Sequence, residues 1–184
     1  LQAGSGGVGT FALQRAKHLG ATVATTTSAG NAALVKSLGA DVIVDYKKDN
    51  FEERLSGYDV VLNSQDGKTL SESLGVLKPG GHLISISGPP DPQFAQDIKA
   101  PWVVKQVMRA ISFGARRQAR RLQVGYSFLF MKSSGSQLRQ ITPLIESGAI
   151  RPVIDKVFPF DATNEALAYV ESGRAKGKVV IKVR

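Results

Sequence analysis

The sequence contains no cysteine and only two histidines, His18 and His82. Disulfides are therefore excluded, and a zinc site of the usual Cys/His kind cannot be assembled from this chain. No run of about 18 apolar residues occurs, so there is no candidate transmembrane helix, and no signal peptide is visible. Acidic residues are missing from one long interval. Between Asp97 and Glu146 there is none, whereas Lys99, Lys105, Arg109, Arg116, Arg117, Arg120, Arg121, Lys132 and Arg139 all fall inside it. Those nine cations equal the whole formal charge of +9, so the rest of the chain is neutral on balance. Internal repeats and low-complexity linkers are also lacking. The 184 residues suit one domain with a sizeable core, or one domain plus an appendage, in a cytoplasmic setting.

What is present is concentrated at the start. Gly4, Gly6 and Gly9 have the G-x-G-x-x-G spacing, within Ala3-Gly4-Ser5-Gly6-Gly7-Val8-Gly9. In such a turn the first glycine permits the tight bend and the second lets the backbone approach a pyrophosphate. The third lets the following helix pack closely on the sheet. Residues 11–17 continue as a helix, whose N-terminus would offer N–H groups to phosphates. A strand over 21–27 completes a βαβ unit. The strand that should precede Gly4 has only Leu1-Gln2-Ala3, short of the usual five or six residues. The chain is thus expected to begin inside its own first strand, as part of a longer protein.

Further strands are expected at 41–46, 58–63 and 82–87, with helices at 31–38, 51–55 and 69–77 between them. Strands that are nearly continuous in apolar residues and alternate with helices argue for a parallel sheet covered on both faces. From Gly88 the rhythm changes. A loop at 88–92 leads to one helix over 102–122, a sixth strand over 124–130, and an amphipathic helix over 135–147. The tail reads as strand 153–158, helix 163–171 and strand 179–183. The fold expected is α/β, a Rossmann-type doubly wound parallel sheet of order 3-2-1-4-5-6.

The glycine turn, Leu38-Gly39-Ala40-Asp41, Asp45-Tyr46 and Leu77-Lys78-Pro79-Gly80-Gly81 together resemble the medium-chain dehydrogenase/reductase superfamily. Ile150-Arg151-Pro152-Val153-Ile154, Phe158-Pro159-Phe160 and Gly173-Arg174-Ala175-Lys176-Gly177-Lys178-Val179-Val180 extend the likeness through the tail. The resemblance is to the zinc-free quinone oxidoreductase branch. It implies a Rossmann dinucleotide-binding domain over 1–150. Residues 151–184 would then be the tail of a GroES-like catalytic domain whose remainder lies outside this sequence.

The glycine turn assigns Gly4, Ser5, Gly6, Gly7, Val8 and Gly9 to cofactor binding. NAD-binding units carry an acid about 20 residues past the glycines, on the ribose 2′-OH. Here strand two ends in Thr26-Thr27-Ser28-Ala29-Gly30-Asn31, and no acid precedes Asp41. Small hydroxyls can donate to a 2′-phosphate that a carboxylate would repel, which favours NADP(H). Family members often place a cation where Asn31 stands. In the expected strand order Tyr46 and Lys47 approach the adenine ribose, and the resemblance implies that role for Ser28 and Tyr46. Lys48 reads better as a solvated turn.

Ligands of open α/β sheets sit beyond the carboxyl ends of the strands. This nominates Ser64 and Ser87, and the resemblance adds Phe128 and Phe130 at the nicotinamide. The family often has Asp-x-x-Gly-Gly after strand four, where this chain has Asn63-Ser64-Gln65-Asp66-Gly67. No acid/base constellation is found, and no catalytic or metal-binding residue is named. His18 and His82 read as structural or solvent-facing.

What the resemblance implies is an NADPH-dependent, zinc-independent reductase of a quinone, enone or similar small molecule, the isolated chain binding cofactor without efficient turnover. The alternative is a non-catalytic NADP(H)-binding or interaction module on the same scaffold. The strand from Tyr126 to Phe130 is a candidate homodimer edge. In the basic interval, Arg116-Arg117 and Arg120-Arg121 recur at i, i+4 beside Val103, Val107 and Ile111. This reads as a solvated charged face or a substrate-cleft rim ahead of nucleic-acid or membrane contact. No membrane or nucleic-acid partner is therefore expected.

Overall fold

The computed structural model describes residues 1–184. Its elements are α1 (Gly9–His18), β1 (Ala24–Thr27), α2 (Ala32–Ser37), β2 (Val42–Asp45), α3 (Phe51–Arg54), β3 (Tyr58–Asn63), α4 (Gly67–Gly75) and β4 (Leu77–Ser85). There follow α5 (Pro92–Asp97), α6 (Trp102–Ile111), α7 (Phe113–Arg121), β5 (Gly125–Phe128), α8 (Gly135–Glu146), β6 (Ile154–Pro159), α9 (Thr163–Glu171) and β7 (Lys178–Lys182). The contacts divide these into two compact units. One comprises Leu1, Ala3–Lys47 and Ser134–Arg184, the other Gln2 and Lys48–Ser133.

In the first unit β1 and β2 pair in parallel, with Thr27 opposite Asp45. β1 is made of Ala24 and three buried threonines. A buried hydroxyl without a partner costs about 1–3 kcal/mol, so each must find one. Thr25 Oγ1 donates to Leu1 O, Thr26 Oγ1 accepts from Ala3 N–H, and Thr27 Oγ1 donates to Ser5 Oγ. The β-branched threonines thus form the strand and also hold the glycine turn beside it. Leu13, Val23, Val35, Leu38 and Ala40 form the core, with Val153 packed against them. Truncating the fully buried Leu13 to alanine would cost about 3 kcal/mol.

The tail is tied to the same unit. Gln14 Nε2 donates to Arg151 O and its Oε1 accepts from Arg151 N–H. Gly177 N–H donates to Ser5 O. β6 and β7 pair in parallel, with α9 between them in the chain. Asp155 accepts from Tyr169 Oη and from Lys176 N–H, while Lys156 Nζ lies 3.9 Å from the Tyr169 ring centre.

In the second unit β3, β4 and β5 form a parallel sheet in that order, with Val61, Leu83 and Tyr126 in register. Val61, Leu70, Leu74, Val76, Leu83 and Val124 are buried around it. Gln2 N–H donates to Leu62 O, and its side chain donates to Ser73 Oγ. Gln118 and Ser71 exchange hydrogen bonds, fastening α7 to α4.

The fold is Rossmann-like α/β, as expected. The pairings observed reproduce the neighbours 3-2 and 4-5-6 of the expected order, with the strands now numbered as found. Leu1–Ala3 is assigned to no strand, although Leu1 O and Gly4 N–H both hydrogen-bond to Thr26. Two local expectations change. Pro92–Asp97 is a helix, started by Asp91, whose carboxylate accepts from Phe94 N–H, and by Pro92 in the first turn. The single helix expected over 102–122 is two, joined at Ser112. Ser112 Oγ turns back onto Met108 O and accepts from Arg116 Nε, which breaks the regular run.

Candidate functional site: a glycine turn and two strand-end clusters

The glycine turn is shaped by contacts that leave no room for side chains at two positions. A Cβ on Gly4 would lie 2.2 Å from Thr25 Oγ1, and one on Gly9 would lie 2.2 Å from Ala3 O. At Gly6 the nearest atom would be Ala3 O at 3.4 Å, ordinary contact, so the requirement for glycine there is not imposed by the protein itself. The first and third glycines are needed for packing, while the second leaves space above the backbone. Ala3 takes up a positive φ of 52° to enter the turn.

Helix α1 then begins with no acidic residue in its first turn and no side-chain cap. The N–H groups of Gly7, Val8 and Gly9 have no acceptor within the protein. Unpaired N–H groups at a helix start, in an open glycine turn free of carboxylates, fit the pyrophosphate of a dinucleotide. Ser5 braces this turn, its Oγ accepting from Thr27 Oγ1 and from Asn31 Nδ2 at 3.1 Å each. Asn31 is therefore occupied in holding the loop.

Two residues near the turn were not visible in the sequence as site residues. Gly177 and Lys178 lie against Gly7, where a Cβ would meet Gly177 O at 3.0 Å and Lys178 Nζ at 3.2 Å. Lys178 makes no ion pair. Its distance along the chain from the glycines hid this contact, and the only signal was the family-like tail.

At the end of β1, Ser28 is half-buried and its hydroxyl has no partner. The β1–β2 register brings Tyr46 alongside, with Tyr46 N–H donating to Thr27 O. Tyr46 is 60% exposed, and Lys47 is exposed without an ion pair. Asp45, opposite Thr27, accepts from Lys47 N–H.

The second unit carries its own strand-end cluster. Asn63 is fully buried and forms a closed turn with Gln65. Ser64 is half-buried with its hydroxyl unengaged, whereas the Ser87 hydroxyl donates to Gln65 O. Phe128 and Phe130 form an aromatic trio with Phe94, whose ring centre is 5.1 Å from Phe128 and 5.5 Å from Phe130. Asp91 fixes this arrangement through Phe128 N–H and Phe94 N–H. Nearby, Tyr126 Oη donates to Pro89 O, and burial together with the Asp91 charge holds its phenol well above the usual range. Phe94 and Asp91 were missed in the sequence because residues 88–92 read as loop and no helix is expected between them and residue 102. His82 is exposed and pairs with Ser127 Oγ at 2.9 Å, while His18 is exposed at the end of α1.

A family model described as zinc-binding dehydrogenase matches residues 38–181. The chain belongs to the zinc-binding dehydrogenase family. A relative in Danio rerio, "NAD(P)H oxidoreductase RTN4IP1, mitochondrial", is 35% identical over 98% of this chain and 47% of its own length. The "2-methylene-furan-3-one reductase" of Solanum lycopersicum is 36% identical over 97% of this chain and 38% of its length. Among solved structures, the quinone oxidoreductase of Coxiella burnetii superimposes with a TM-score of 0.81 at 27% identity, covering 100% of this chain and 51% of that one. The chain spans about half the length, or less, of these proteins. Despite the family's description, no group of three or more His, Cys, Asp or Glu side chains gathers here, so the residues of this chain do not fit a zinc ion. No helix is long and apolar enough to cross a membrane.

Proposed function

We propose that this chain holds NADP(H) for an oxidoreductase that reduces a quinone, an enone or a similar activated alkene or carbonyl. The observation that carries the reading is the glycine turn, with three N–H groups lacking acceptors and room above Gly6. Gly4, Ser5, Gly6, Gly7, Val8 and Gly9 would hold the pyrophosphate. The half-buried Ser28 hydroxyl, with Tyr46 and Lys47 beside it, would receive the 2′-phosphate. Ser64, Ser87, Phe128 and Phe130 would frame the nicotinamide. The names of the relatives support a nicotinamide cofactor, and those of the furanone reductase and quinone oxidoreductase support the substrate class.

The chemistry that bound NADPH supplies is a hydride; the residues here bind, orient and neutralise charge. Zinc would play no part in this chain, which offers no donor set for it. In the same reading residues 1–150 form the dinucleotide-binding domain and 151–184 complete a catalytic domain. The free edge of β5 would pair with a second copy, and a strict monomer at high concentration in sedimentation would overturn that pairing.

The test is a pair of titrations, NADPH and NADH, on the chain and on Ser28→Asp. A carboxylate in place of a donor to the 2′-phosphate should weaken NADPH by about 30-fold while changing NADH little. Equal losses would remove the NADP assignment. Absence of binding by either nucleotide to the unaltered chain would remove the whole reading.

A further inference from the structure

Helix α6 turns an apolar stripe outward. It buries no residue, the side turned toward the protein carries Lys105 and Met108, and the helix ends on the buried Ser112. On the opposite side Val103, Val107 and Ile111, spaced four apart, are 62%, 53% and 54% exposed. A surface helix ordinarily turns such a stripe inward. The sequence marks the stripe and the charged face beside it, and the structure shows that the stripe also faces outward. The outward stripe is itself unsatisfied in water.

Helix α7 continues the feature with charge. Its buried residue is Ala119, and Arg117, Arg120 and Arg121 stand on the far side, lining a shallow groove with Phe113. Arg116 is used internally, donating to Ser112 Oγ and Arg109 O, and so fixes the joint between the helices. None of the nine cations between Asp97 and Glu146 takes part in an ion pair.

We infer that α6 and α7 form a peripheral docking surface for an anionic phospholipid bilayer. The stripe requires an apolar phase, the cations flanking it require anions, and an acidic lipid interface presents both in one plane. Trp102, the only tryptophan, opens α6 at 72% exposure, suited to the headgroup level. With 10 residues α6 is about 15 Å long, so it lies in the interface and does not span it. Nucleic acid would satisfy the arginines but leave Val103, Val107 and Ile111 in water. A second copy would set the outward Arg117, Arg120 and Arg121 against their own counterparts with no carboxylate on α6 or α7 to offset them.

The chain has no cysteine, so Val107→Cys gives one unique labelling position. The variant carries an environment-sensitive NBD fluorophore and is mixed with phosphatidylcholine vesicles holding about one quarter phosphatidylglycerol. The expected result is a blue-shifted, brighter label with co-sedimentation, absent with pure phosphatidylcholine and reversed by salt. Val103→Asp with Ile111→Asp, and separately Arg117→Glu with Arg121→Glu, should each lower unlabelled partitioning by about tenfold or more. All four positions are exposed, and unchanged melting confirms that the variants fold.

Failure to bind acidic vesicles at low salt would overturn the inference. So would co-sedimentation with an unshifted label, which means charge contact alone. A label shift that grows with protein concentration without vesicles would assign the face to a second copy. Binding to duplex DNA without binding to vesicles would assign it to nucleic acid. The nucleotide titrations do not bear on any of these outcomes.

Discussion

The glycine turn and the α6–α7 pair present their side chains in opposite ways. At the turn the chain's own atoms close around each other. Ser5 accepts from Thr27 and Asn31, Thr10 Oγ1 bonds Gly6 O, and Gly4 and Gly9 are pressed against Thr25 and Ala3. In α6 nothing is buried, Val103, Val107 and Ile111 point away, and Lys105 and Met108 are turned in. One region is determined by internal packing, the other by what it meets outside. Substitutions should therefore be judged by the chain's own stability in the first region and by partitioning in the second.

The sharpest way to break this contrast is Gly9→Val. Its Cβ would fall 2.2 Å from Ala3 O and 2.8 Å from Gly4 Cα, backbone atoms that cannot swing aside. A loss of about 3 kcal/mol is expected, together with dinucleotide binding. Chemical denaturation reads the first and nucleotide titration the second. A variant with unaltered stability would show that the turn is not fixed from within.

The same contrast explains what could be read from the residues alone. Gly4, Gly6 and Gly9 announce themselves because their spacing encodes backbone geometry within a few residues. The β-branched run at Thr25–Thr27 and the apolar strands at Val60–Leu62 and Leu83–Ile86 were legible for the same local reason. Helix α5 escaped notice although Asp91-Pro92 is a good start signal, because the prolines before it read as loop. Lys178 could not be placed beside Gly7 because that contact joins the two ends of the sequence. The direction of the α6 stripe was not legible, because periodicity gives the existence of a stripe, not the direction it faces.

A smaller effect is expected at Lys178. Its ammonium lies against Gly7, where it would meet the pyrophosphate common to both nicotinamide dinucleotides. Lys178→Met should weaken NADPH and NADH alike, by about tenfold, in a fluorescence titration. A loss confined to NADPH would move Lys178 to the 2′-phosphate. No loss would leave it a packing residue of the tail. Smaller still is Gly114→Ala in α7, where a Cβ meets no atom within 4 Å. There the variant should gain about 0.5–1 kcal/mol, the reverse of the change at Gly9. Destabilisation by this alanine would mean that α7 is packed more closely than its exposure indicates.

The gentlest perturbation is acid. Lys17, near the end of α1, pairs with Asp41 at 2.9 Å, whereas the cations of α6 and α7 have no carboxylate partner. The hydrogen bond from Val23 N–H, then that from Lys17, holds the Asp41 carboxyl below its ordinary value. A carboxyl depressed in the folded state stabilises it above the unfolded pKa, about 4, and loses that contribution as pH falls through the folded value. Asp41→Asn should therefore flatten the acid limb of the stability profile. Helices α6 and α7 hold no aspartate, glutamate or histidine, so vesicle binding should hold over about pH 6 to pH 4. An acid limb identical in Asp41→Asn would show that α1 is not anchored through this carboxylate. A collapse of vesicle binding over that interval would mean that the basic helices depend on an acid elsewhere in the chain.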